Sequence, residues 1–312
     1  MTSKSPFFVG RNELIDEIVV VAKKHGAVLL FGGRQSGKTT LLRRLTEVLS
    51  TKMGDTKILS SLDIPVFVDL MRLPVEATPD DFFDFLISSA AAQCKRQING
   101  FTFTCPTSAE RSSDSLTNFV FDLDLLNKAC AEVNIKIIFL LDEAKRVLND
   151  RFTRGFQDNI FALLYGDSEL RPVPLSFVFA GAQHLYKLSE DSTSPIGSRA
   201  APIIIRNLTK DNILEYWIHY LGENESSAQL YADFVYKETG GHAGLMNRVV
   251  EEISGTTDTP FNAEEISKIV QSRNIGLLDN WISSLTSEAI CVAGSLSHVQ
   301  SLSLGDVAQH LV

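Results

Sequence analysis

Gly32, Gly37, Lys38 and Thr39 fall in the run AVLLFGGRQSGKTTLL, residues 27–42, and satisfy the spacing G-x-x-x-x-G-K-[ST]. The chemistry open to that spacing is the grip of a polyphosphate. Backbone N–H groups along Gly33, Arg34, Gln35, Ser36, Gly37, Lys38, Thr39 and Thr40 converge with a helix N-terminus to form an anion hole. Glycines let the chain pass close to phosphate oxygens and take positive φ. Lys38 supplies a point charge for the β- and γ-phosphates, and the Thr39 hydroxyl is placed to reach Mg²⁺. The bland alternative is a glycine-rich turn between a strand and a helix. It leaves unexplained a lysine at a tight helix start, where packing has no use for one.

A second constellation lies in IIFLLDEA, residues 137–144. An apolar strand delivers two adjacent carboxylates at its tip. Asp142 suits the magnesium shell, directly or through water, and Glu143 suits a general base that polarises an attacking water. Alone, the pair reads better as two solvated acids at a helix start, a common arrangement. Downstream of a phosphate loop it reads as the second half of one nucleotide site.

The elements that must position these groups alternate. Residues 14–22 form an apolar-rich helix stopped near Gly26, residues 28–31 a buried strand, and Leu41, Leu42, Leu45, Val48 and Leu49 recur at helical spacing. Further strands are expected over 64–70, 135–141, 175–180 and 202–205. Between them, Thr78, Pro79, Asp80 and Asp81 start a helix running towards Ile98, with cap, proline and first-turn acids in order. Two more helices are marked by Leu116, Phe119, Leu123 and Leu126, and by Phe156, Ile160 and Leu163. The segment 99–113 reads as a polar surface loop. Strands alternating with helices imply right-handed βαβ units and a mainly parallel sheet covered on both faces, with ligands beyond the carboxyl ends of the strands. After Asn207 the apolar strands stop, and short helices are expected over 210–221, 226–239, 243–253 and 263–272. A third piece carries a helix over 284–295 and a capping-box start at Ser303, the opening of a winged-helix module that runs off at Val312 as a fragment of a longer protein would.

The whole chain of 312 residues carries a formal charge of −9, which disfavours broad capture of nucleic-acid backbone. Cys94, Cys105, Cys130 and Cys291 show neither a C-x-x-C pair nor zinc spacing and read as free thiols, which points to the cytoplasm. No run has the length of a membrane span.

The series FFVGRNELIDEI, GGRQSGKTTLL, LLDEA, AGA, SPIGSR and ETGGHAG resembles the AAA-related P-loop ATPases of the STAND and archaeal-ATPase group, in order and over nearly the whole chain. The resemblance implies a P-loop ATPase core over 1–206, an all-helical lid over 207–275 and a winged-helix start over 276–312. It implies that Val9, Gly10 and Arg11 lie beside the adenine, while Phe7 and Phe8 read equally as a hydrophobic staple. It implies that Gln183 senses the γ-phosphate, although Ala182 stands where the family has a small polar residue, and that His184 is structural or exposed. Arg199 takes the position of an arginine finger reaching a neighbouring subunit, or is a solvated loop arginine. His242 contacts a phosphate or caps the lid helix, Ala243 replaces the family's proline, and Arg248 is a surface residue. The implied function is an ATP/ADP-binding and ATP-hydrolysing Mg²⁺-dependent switch in a STAND-like signalling or defence protein, with self-association through the core. Two alternatives stand beside it: a DNA-associated ATPase of the origin-recognition or transposition-loader kind, using the winged helix, and a non-hydrolysing scaffold held on ADP.

Overall fold

In a computed structural model of the chain, the described residues are 8–255 apart from 25, 52–61, 105–111, 131–132, 149–151, 153 and 221–224, together with 264, 267, 268 and 287. Five parallel strands form one sheet: β1 (Ala27–Phe31), β2 (Leu62–Asp69), β3 (Ile135–Asp142), β4 (Leu175–Gly181) and β5 (Ala201–Ile204). Their order is β2-β3-β4-β1-β5, so β4 is inserted between the strand that leads into the phosphate loop and the strand that carries Asp142. The carboxyl ends stay level. Phe31 pairs with Gly181 and Ile204, and Asp142 pairs with Asp69.

The three central strands are buried at every position, as strands covered on both faces must be. Alternate residues feed two separate cores. Leu29, Phe139, Phe177 and Phe179 face a core shared with α3 (Pro79–Gln97), α4 (Ser115–Ala129) and α5 (Arg154–Tyr165). Val28, Leu30, Ile138, Leu140 and Val178 face the other, shared with α1 (Asn12–Lys23) and α2 (Lys38–Thr51). Phe82, Phe83, Phe152 and Phe156 interlock by edge and tilted ring contacts, closest between Phe152 and Phe156 at 4.8 Å. Each such buried ring contributes about 1.5–3 kcal/mol over an exposed one.

The start of α3 follows the residues that announce it. The Thr78 hydroxyl accepts from the Asp81 N–H at 3.3 Å, and the Asp81 carboxylate accepts from the Thr78 N–H at 2.8 Å, a reciprocal capping box. Thr78→Ala removes the hydroxyl acceptor and is expected to cost about 1 kcal/mol of stability. Chemical denaturation checks this.

One helix, α6 (Gln183–Glu190), has no counterpart among the sequence expectations. It is eight residues long and anchored by the single fully buried Leu185, too little for a periodic signal. Beyond β5, α7 (Lys210–Tyr220), α8 (Glu225–Thr239) and α9 (Ala243–Gly255) enclose a third core built on Ile213, Trp217, Val235, Met246 and Val249. Val9 from the N-terminal box also belongs to this core. Cys94 and Cys130 are free and buried. The helices expected over 263–272 (isolated positions aside) and 284–295, the Ser303 cap, the winged-helix piece, Phe7, Cys105 and Cys291 lie outside the described residues. No helix among the described residues is long and apolar enough to cross a membrane.

Candidate functional site

The loop between β1 and α2 turns through two left-handed residues, Gln35 (φ 57°) and Gly37 (φ 90°). The φ of Gly37 favours glycine, and a Cβ there would also stand 2.5 Å from Arg11 Nη1. Helix α2 begins at Lys38, so its unpaired first N–H groups face the loop. Lys38 Nζ donates to the carbonyls of Gly32 at 3.1 Å and Gly33 at 2.7 Å, spanning the loop mouth. Burial lowers the Lys38 pKa, opposed by Glu143 and Asp142 and reinforced by Arg11.

The two sequence constellations meet across a separation of 103 residues. Thr39 Oγ1 donates to Asp142 Oδ2 at 2.5 Å. The strand order places β4 between their strands, and β4 ends level with both. Glu143 follows in the left-handed region (φ 55°), with its N–H donating to Asp142 Oδ1 at 3.0 Å. This turn directs the Glu143 side chain into the same cleft as Lys38. A hydroxyl and a carboxylate are hard oxygen donors, the set that suits Mg²⁺ together with waters and substrate phosphates. Among the described residues, no group of three or more His, Cys, Asp and Glu forms a metal cage of its own.

The cleft above the loop has a volume of about 1000 Å³. Residues 34–40, Val9, Arg11 and Glu143 line it. Phe8, Leu208, Tyr216 and Met246 add an apolar end suited to a flat base. Arg11 is 8% exposed, and its Nη2 donates to the Ser36 carbonyl at 2.6 Å. Burial lowers its pKa.

Other expected residues lie elsewhere. Gly10 lines a separate groove beside α1 and β5, and Gly33 faces open space. Gln183 opens α6, but Ala182 is the β4-tip residue that borders the cleft. Arg199 is exposed in the loop before β5, away from the residues lining its own chain's cleft. His242 caps α9: its Nδ1 accepts from the Leu245 N–H at 3.3 Å, and its Nε2 meets the Arg34 carbonyl at 3.0 Å.

Several lining residues escaped the sequence reading. Lys145, two residues beyond Glu143, also lines the cleft. Gly244, Asn247, Arg248 and Glu251 form one face of α9 directed at the loop. Arg248 is therefore a wall of the cleft and not a remote surface residue. The spacing of four that sets this polar stripe against buried Val249 and Val250 was the available signal. His184 is not exposed. Burial, then Lys145 and Lys38, push its pKa down to about 4, so the imidazole is neutral near the loop. Its Nε2 is buried without a hydrogen-bond partner among the described residues.

A family model described as AAA domain matches residues 21–188. Solved structures with the same fold include a Walker-type ATPase of Pyrococcus abyssi, 15% identical with a TM-score of 0.61, covering 97% of this chain and 88% of that one. The ORC2 protein of Aeropyrum pernix, solved in ADPNP–ADP complexes, is 12% identical with a TM-score of 0.61 and coverages of 98% and 80%. The ORC1 protein of Aeropyrum pernix in complex with DNA is 16% identical with a TM-score of 0.51 and coverages of 100% and 79%. No curated protein matches the chain. Two of these three neighbours are origin-recognition proteins and one is a Walker-type ATPase, and none singles out the STAND group.

Proposed function

Because the chain belongs to the AAA domain family, we propose that it is an ATP-binding and ATP-hydrolysing switch of the DNA-associated kind. The observation that carries the nucleotide reading is the Thr39–Asp142 hydrogen bond at 2.5 Å beneath Lys38. It joins the hydroxyl and the carboxylate that a phosphate-bound cation needs. ATP lies with its base at the Phe8–Tyr216 end and its phosphates along residues 33–39, under Lys38. Thr39 and Asp142 would hold Mg²⁺, which would supply charge neutralisation at the phosphates. Glu143 takes a proton from the attacking water as that water's oxygen bonds to the γ-phosphorus and the bond to ADP breaks. Val9, Arg11 and the lid over 207–275 sense which nucleotide is present. Arg199 reaches the cleft of a neighbouring copy, so self-association completes the site.

The DNA-associated reading draws support from the origin-recognition neighbours, one of them solved with DNA. It is tested by titrating labelled duplex DNA with ATP or ADP present at two salt concentrations. The expected outcome is tighter binding with ATP and a steep loss of affinity as salt rises. A STAND-like signalling switch remains as a second reading, favoured by the Gly240-Gly241-His242 turn that brings α9 onto the phosphate loop. ATP-driven oligomers with no DNA binding in either nucleotide would select it.

A further inference from the structure

A loop that binds an anion through its N–H groups turns its carbonyls outward, and each outward carbonyl needs a donor. The carbonyls of Gly32 and Gly33 accept from Lys38, and that of Ser36 accepts from Arg11. These donors come from α2 and from the residue preceding α1. The Arg34 carbonyl differs, because its donor, His242, stands 208 residues away on the lid.

The geometry around this bond is specific. Nδ1 of His242 is used as the acceptor for the Leu245 N–H, which leaves the proton on Nε2, facing the Arg34 oxygen. Between the two side-chain-held carbonyls, Arg34 and Ser36, sits left-handed Gln35, a conformation that a non-glycine residue keeps only where its surroundings hold it. Helix α9 closes on that residue. A Cβ at Gly244 would lie 2.6 Å from Gln35 Cβ, so glycine at 244 permits the contact.

We propose that His242 is a positioning residue that couples the lid to the phosphate loop, its Nε2–H holding the Arg34 carbonyl outward and with it the left-handed Gln35. The proposal rests on the nucleotide reading of the cleft. Under it, phosphate binding and lid seating favour each other by the same factor, as linkage requires. His242 acts through the loop backbone and not by touching the phosphates.

Two substitutions separate the two bonds of the ring. In His242→Gln the amide nitrogen stands where Nε2 stood, which keeps the tie to Arg34 and loses the helix cap. In His242→Asn the amide oxygen stands where Nδ1 stood, which keeps the cap and loses the tie. Calorimetry with ATP is expected to show His242→Gln within about twofold of wild type and His242→Asn weaker by roughly three- to tenfold, the worth of one hydrogen bond. Hydrogen exchange without nucleotide is expected to show faster exchange over residues 33–36 in His242→Asn only. The reverse pattern, equal losses in both variants or no change in either would overturn the coupling. Wild type that fails to bind ATP would instead sink the nucleotide reading, and the exchange measurement would still judge the tie by itself.

Discussion

Lys38→Ala loses ATP binding by about 100-fold or more while the protein keeps its fold. The ammonium stands at the mouth of the loop, 2.7 Å from the Gly33 carbonyl and 3.1 Å from that of Gly32. In the bound state it exchanges those neutral acceptors for two charged phosphate groups. Charge-assisted bonds of that kind contribute roughly 1.5–3 kcal/mol each, so losing two removes at least about two orders of magnitude in affinity. The fold has little reason to suffer. Lys38 is the first residue of α2, its side chain is half-exposed, and alanine is the best helix former. Of the two carbonyls it served, that of Gly33 is exposed and that of Gly32 is part-buried. Calorimetry against ATP, with a melting curve as the fold control, makes the measurement. Unchanged affinity would show that the cleft does not hold a polyphosphate in the manner described.

Glu143→Gln separates binding from turnover. Glutamine matches glutamate in shape and keeps the backbone N–H that donates to Asp142, but it cannot accept a proton from water. A positioned general base contributes typically 10²–10⁴ in rate, so hydrolysis should fall by about that factor with ATP affinity within a few-fold of wild type. Phosphate release under saturating ATP measures it. If wild type and variant are equally inert while both bind ATP, the chain is a nucleotide-held scaffold and the base assignment is void. Because Glu143 already occupies the left-handed region, a β-branched replacement would test strain and not chemistry. Glutamine is the informative choice.

Much of the core was legible because its signals are local. Strand β1 is a continuous apolar run and β3 and β4 are predominantly apolar, and helix α3 begins at the capping box that Thr78 and Asp81 spell out. The glycines, Lys38 and Thr39 of the loop lie within residues 32–39, so backbone geometry alone brings them together. Asp142 and Glu143 were legible as a strand-tip pair, but their meeting with Thr39 depended on a parallel sheet whose strands end level. Less could be read where a residue's role depends on what packs against it. Arg248 and Asn247 look like ordinary polar helix residues until α9 is laid against the loop. His184 looks solvated until α6 folds back over the tip of β4. Arg199 and Gln183 were placed by likeness, and Arg199 is not among the residues that line the cleft.

The residue order alone determined that a phosphate loop, two strand-tip carboxylates and a parallel sheet belong to this protein, since each follows from short-range spacing and from the period of apolar residues. The tertiary structure decided that β4 separates β1 from β3 yet leaves Thr39 within 2.5 Å of Asp142, and that His242 closes on Arg34 from the far end of the described chain. Those contacts span 103 and 208 residues. Local propensity carries no information over such distances, and only the packing of three cores, one on each face of the sheet and one within the helical lid, sets them.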